Sequence, residues 1–116
     1  MPLIQVTTTA EVPTEKQDKV MSALSKAVCG VTGKNEDYLM VMLSQGVGYM
    51  GGVAGSATFV DVRAIGGIGP EINRELSSVI CGIVEELLGT PPSRVYINFI
   101  DVAATDWGWD NGTFGT

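Results

Sequence analysis

The chain has 116 residues, 45% of them apolar, with 7 basic and 13 acidic side chains, a net charge of −6 and no histidine. That length makes a single domain, residues 1–116, with a core of its own, and so acidic a chain cannot assemble the basic surface that nucleic acid or an anionic membrane demands. Without histidine there is no Ser-His-Asp or Cys-His machinery, no imidazole zinc site and no histidine pH switch.

Residues 3–8, Leu-Ile-Gln-Val-Thr-Thr, are rich in β-branched side chains and read as a strand. The start of the chain has neither a basic n-region nor a long apolar stretch, so no signal peptide is expected. Residence is therefore read as cytoplasmic, although secretion by another route leaves no such trace. Val12-Pro13-Thr14 breaks the strand, and Thr14 with Gln17 three residues on predicts a capping box. Val20, Leu24, Ala27, Val28 and Val31 recur at helical spacing until Gly33 stops the helix. Residues 38–43 read as a short strand, apolar at both parities, and at six residues they fall far short of a membrane span. A glycine-rich loop over residues 46–55 follows.

The second half repeats this order. Residues 57–65 alternate, with Val60, Val62 and Ala64 on one side and Asp61 and Arg63 on the other. Gly66-Gly67-Ile68-Gly69-Pro70 closes that strand and opens a helix whose apolar stripe runs from Ile72 to Leu88. Gly89, Pro91 and Pro92 end it, and residues 95–100 form the fourth strand. The helix stop recurs from Gly33 to Gly89 and the strand restart from Tyr38 to Val95, offsets of 56 and 57 residues. The expected fold is α/β, a duplicated β-α-β unit giving a four-stranded sheet with two helices on one face. In the tail, Asn111-Gly112 predicts a hairpin turn flanked by Trp109 and Phe114.

Two helices cover such a sheet once. Because both parities of residues 38–43 are apolar, the open face calls for a second copy of the chain, and a closed homo-oligomer is expected. Cys29 and Cys81 lie within the helical patterns and read as buried reduced thiols, with a disulfide or a reactive thiol as the alternatives. Gly66-Gly67-Ile68-Gly69 resembles a phosphate-binding turn, but Ile72 stands where the dinucleotide pattern wants glycine. Asp101, Asp106 and Asp110 do not match a calcium-loop spacing, so no metal is expected.

Residue 2 carries the most chemistry. Removal of Met1, usual when a small residue follows, leaves Pro2 with a free secondary amine. A chain terminus ordinarily titrates near ~7.7–8, the nearest thing to a neutral-pH base in a protein without histidine. Burial among Leu3, Ile65 and Phe114, with Lys34 nearby, would favour its neutral form. Lys34 can equally be read as a solvated cation at a helix end.

Six segments, Met1-Pro2-Leu3-Ile4, Thr32-Gly33-Lys34, Ala64-Ile65-Gly66-Gly67-Ile68-Gly69, Asn73-Arg74, Arg94-Val95-Tyr96-Ile97-Asn98 and Trp109-Asp110-Asn111-Gly112-Thr113-Phe114, occur in order. With this set the chain closely resembles the macrophage migration inhibitory factor family of the tautomerase superfamily over essentially its whole length. The resemblance implies a homotrimer with pockets between subunits and keto–enol tautomerisation of phenylpyruvate- or dopachrome-type aromatic acids, without cofactor or metal. It makes Pro2 the catalytic base. Lys34 and the backbone at Ile65 would hold the substrate's carboxylate or enol oxygen, and Tyr96 and Asn98 would reach in from a neighbouring subunit. Tyr38, Trp109 and Phe114 would form an aromatic rim.

Three departures bear on these expectations. Ala57 and Val60 stand where vertebrate members carry Cys-x-x-Cys, so thiol–disulfide oxidoreductase activity is not carried over. Asn35 replaces the usual proline after Lys34, and residues 9–13 rewrite the receptor-contacting loop. The alternative reading is a secreted cytokine-like ligand for a cell-surface receptor, its tautomerase pocket secondary or vestigial.

Overall fold

The computed structural model describes residues 1–115. In chain order they form β1 (Leu3–Thr8), α1 (Thr14–Thr32), β2 (Met40–Gln45), and a tongue made of β3 (Tyr49–Met50) and β4 (Val53–Ala54). There follow β5 (Thr58–Ala64), α2 (Pro70–Leu88), β6 (Val95–Asp101), and a small hairpin of β7 (Gly108–Trp109) and β8 (Gly112–Thr113). The main sheet runs β2-β1-β5-β6, with β1 parallel to β2 and β5 parallel to β6. Each parallel pair is joined through a helix, as parallel strands require. The two β-α-β halves meet along an antiparallel seam in which Leu3 faces Arg63 and Thr8 faces Thr58. The duplication expected from the sequence is present.

Strand parity decides where the core lies. Ile4 and Val6 of β1 and Val60 and Val62 of β5 are buried against Val20, Leu24 and Val28 of α1 and Leu76, Ile80 and Val84 of α2. Both helices end at a left-handed glycine, Gly33 at φ 73° and Gly89 at φ 75°, whose N–H groups return to Cys29 O and Glu85 O. Pro70 at the first position of α2 needs no partner for its missing N–H.

Four local expectations need correction. The capping box does not form: Thr14 lies inside α1, and the N-cap residue is Pro13. The carbonyl of Pro13 accepts from Lys16 and Gln17 N–H at 2.8 and 3.2 Å, closing the first turn, while the Gln17 side chain donates to Val12 O. Tyr38 belongs to a 3-10 turn over Glu36–Tyr38, opened by Asn35 accepting from Asp37 N–H, so the strand starts at Met40 and continues to Gln45. The glycine-rich loop contains the β3–β4 tongue. Cys29 and Cys81 are both free thiols, but each is half-buried, because the stripe each occupies lies at the flank of its helix.

The doubly apolar character of residues 38–43 is resolved by the pleat. Val41 and Leu43 pack on the core, while Met40 and Met42 stand 58% and 54% exposed on the bare face of the sheet. Phe59, Tyr96 and Ile100 are exposed on that face too.

Across the seam runs a chain of buried hydroxyls, Thr8 to Thr58 at 2.9 Å and Thr58 to Thr90 at 2.8 Å. It ties β1, β5 and the segment between α2 and β6. Replacing Thr58 by valine keeps the shape and leaves the fully buried Thr90 hydroxyl without this partner. The expected cost is about 1–3 kcal/mol, read as a lower urea midpoint with an unchanged slope. A midpoint equal to that of the wild-type chain would show the hydroxyl chain to be inert.

Candidate active site

β1 and β2 begin, and β5 and β6 end, at the same end of the sheet. Pro2 lies buried there, and its carbonyl accepts from Met40 N–H at 3.0 Å, fastening the chain start to β2. Because β1 is an inner strand, the terminus emerges between neighbours on both sides. A cavity of about 560 Å³ opens at this point, lined by Pro2, Leu3, Tyr38, Met40, Trp109 and Phe114 among others.

The aromatic side chains form a cluster. Trp109 and Phe114 stack with ring centroids 5.2 Å apart, and Tyr38 meets each edge-on at 5.8 and 6.2 Å. The β7–β8 hairpin presents Trp109, with Phe114 just past it, but its turn is one residue earlier than the sequence implies. Asp110 and Asn111 are its central residues, at φ 49° and 68°, and Gly112 pairs with Trp109. Both types tolerate the left-handed region that such a two-residue turn requires. The register is held by Phe114 N–H donating to Trp107 O at 3.1 Å.

Lys34 follows the glycine that ends α1, and its Nζ donates to Ile65 O at 2.9 Å. It passes over Gly67, where an added Cβ would lie 2.9 Å from Lys34 Cε at φ 75°. Lys34 and Ile65 therefore meet each other, although neither lines the cavity. The ammonium is still felt at the chain terminus. Burial first, and then the charge of Lys34, pull the Met1 amine below its ordinary pKa, partly opposed by Cys29. Burial, then Glu36, push the Cys29 thiol up. The ionisable amine here is that of Met1; the Pro2 nitrogen, acylated by it, is an amide without basicity.

Tyr96 and Asn98 share the bare face, as their spacing implies, yet stand away from this cavity within one protomer. Tyr96 is paired through Phe59 to Thr7, at the opposite end of the sheet, and Asn98 through Asp61 to Gln5, at mid-sheet. Tyr96, 67% exposed, instead lines a groove of about 260 Å³ beside the tongue. Arg94 braces that tongue by donating to the carbonyls of Ser56, Met50 and Val53. Sequence reasoning missed three charged residues that line the first cavity, Arg63, Asp37 and Asp106. For Arg63 the only available signal was its alternation with core positions, which says which face it takes and nothing of what lies there.

Among the described residues no group of three His, Cys, Asp or Glu side chains could hold a metal. No helix among them is long and apolar enough to cross a membrane.

The family model "Macrophage migration inhibitory factor (MIF)" matches residues 1–115. A macrophage migration inhibitory factor homolog of Trichuris trichiura is 35% identical over 95 residues, 81% of this chain and 83% of that protein. The macrophage migration inhibitory factor of Rattus norvegicus is 32% identical with the same coverage. The crystal structure of a macrophage migration inhibitory factor homologue from Prochlorococcus marinus superposes with a TM-score of 0.92 at 33% identity, covering 97% of this chain and 99% of that one. A sheet, seam and paired helices shared over nearly the whole length, with a family match from residue 1 to residue 115, leave one conclusion: the chain belongs to the macrophage migration inhibitory factor family.

Proposed function

We propose that this chain is a cofactor-independent keto–enol tautomerase for small aromatic 2-oxo acids, with Pro2 as its base once Met1 is removed. The observation that carries this reading is the start of the chain, with Pro2 buried and lining an aromatic cavity and the half-buried Met1 amine beside it lowered in pKa by burial and by Lys34. The same surroundings, acting on a Pro2 amine one residue further in, favour the neutral form that can accept a proton. In ketonisation the amine takes the enol O–H proton, leaving an enolate, and the resulting N–H delivers its proton to the adjacent carbon. No net proton is gained or lost. Lys34 spends one of its three donors on Ile65 O, leaving two for the substrate's carboxylate or for charge developing on oxygen. Tyr38, Trp109 and Phe114 flank an aromatic ring.

The reading also takes a homotrimer in which each pocket receives Tyr96 and Asn98 from a neighbour. Two features support it. Family membership is one; the other is a bare sheet face carrying Met40, Met42, Phe59, Tyr96 and Ile100.

Three outcomes are expected. The chain lacking Met1, its start verified by intact mass, should ketonise phenylpyruvate enol. Pro2→Gly, or an added N-terminal extension, should lower kcat/KM by roughly 10²-fold or more; equal rates in all three forms would remove the proline base. Lys34→Gln takes away a positive charge that depresses the amine pKa, so that pKa rises. Because the neutral amine is the active form, the acidic limb of the kcat/KM profile should move to higher pH, with more activity lost near pH 6 than near pH 9. A limb that stays in place would separate Lys34 from the base. Gly67→Ala forces a side chain into the left-handed region and into Lys34. It should cost about 1–2 kcal/mol in thermal unfolding and lower activity together with stability.

A further inference from the structure

A cation other than Lys34 reaches the cavity itself, from the side of the sheet that the helices leave bare. Arg63, near the end of β5, lies in one cross-strand row with Met40, Leu3 and Ile100, and it lines the cavity with Pro2. The row is otherwise apolar, so nothing in its packing calls for a guanidinium. Asp61, two residues back on the same face, accepts from Arg63 Nη2 at 3.1 Å and from Nε at 3.4 Å. Only one edge of the fork is used in this way. Among the described residues the Nη1 group has no hydrogen-bond partner.

We infer that Arg63 is a second anion-binding residue of the site, and that the favoured substrate is a 2-oxo acid bearing a second carboxylate. One acid group lies toward Lys34 and the other on Arg63. The planar fork with unspent donors matches a carboxylate better than any other group lining the cavity. Lys34 is tethered to Ile65 O, in the bend just past the end of β5, while Arg63 lies within β5 and lines the cavity. The two cations thus make separate subsites. Asp37 and Asp106 also line the cavity and would repel a dianion, which the guanidinium offsets. Asp61 is a positioning residue, holding the fork through Nε and Nη2.

This inference rests on the tautomerase reading for its kinetic readout, and the test keeps the two apart. The enol of phenylpyruvate, with one carboxylate, is compared with those of 4-carboxyphenylpyruvate and oxaloacetate, with two. Arg63→Gln should raise KM for at least one diacid about 10- to 100-fold more than for phenylpyruvate, as loss of a charge-assisted hydrogen bond predicts, with kcat little changed. Arg63→Lys should restore part of that selectivity. An equal rise for mono- and diacid, or no rise, overturns the inference. So does dissociation of the Arg63→Gln protein in light scattering, which would assign the guanidinium to contacts between subunits. A wild-type chain that tautomerises none of the three acids defeats the proton-transfer reading alone. Arg63 is then judged by calorimetry with 4-carboxyphenylacetate against phenylacetate, where a preference for the diacid that Arg63→Gln abolishes sustains the site, and its absence overturns it.

Discussion

The site depends on β1 entering the middle of the sheet within two residues of the start of the chain. Leu3 already pairs with Met40 on one side and Arg63 on the other, and Pro2 O is bonded to Met40 N–H. From Pro2 onward the chain cannot swing into water without breaking an inner strand out of its ladder. An amine is ordinarily kept charged by its hydration; here the surrounding strands remove part of that hydration, and the pKa falls with it. In the proposed reaction the backbone order would thereby supply the role that histidine plays in many enzymes, a base whose neutral form is favoured by its surroundings.

Charge placement works against the chain's overall sign. At a net −6, long-range attraction for the proposed acid substrate is poor. The cations that matter are held close, where local geometry outweighs the distant field. Lys34 passes over Gly67 to reach Ile65 O, and a Cβ there would lie 2.9 Å from its Cε. Its charge depresses the amine and still leaves donors for an oxyanion. Arg63 approaches from the bare face, steadied by Asp61. One end of the sheet thus gathers a partly desolvated amine and two cations, although basic residues are scarce in the chain.

Much of this architecture was legible in the sequence, and the reason differs by element. Gly33 and Gly89 marked the helix ends because both need positive φ, which leaves few choices of residue. The repeat of helix stop and strand restart gave the duplicated unit, and alternation placed Val60, Val62 and Ala64 in the core. Errors arose where two local devices compete. Thr14 and Gln17 satisfied the capping-box pattern, but the Pro13 carbonyl closed the turn first. Asn111-Gly112 is the stronger turn dipeptide, yet Phe114 N–H on Trp107 O fixes the register on Asp110-Asn111. Tyr38 reads as strand by type and is turned aside by the Asn35 side chain. Of the candidate site, Pro2, Tyr38, Trp109 and Phe114 meet at one cavity. Alternation placed Tyr96 and Asn98 on the bare face, but their distance from that cavity follows from cross-strand register, which no local pattern encodes.

In the proposed trimer that distance links catalysis to assembly. Within one protomer, Tyr96 lies at the end of the sheet away from Pro2, on a face with Met42 and Phe59 also bare. Full burial of such side chains contributes about 1.5–3 kcal/mol each, so a covered face adds substantially to a domain whose single-sided core is modest for its length. In the proposed trimer the surface that gains this stabilisation is also the one that delivers Tyr96 and Asn98 to a neighbour's pocket. Apolar burial would then set the subunit arrangement. The base would be built by one chain and the polar wall by another, so that neither stability nor turnover belongs to the isolated protomer.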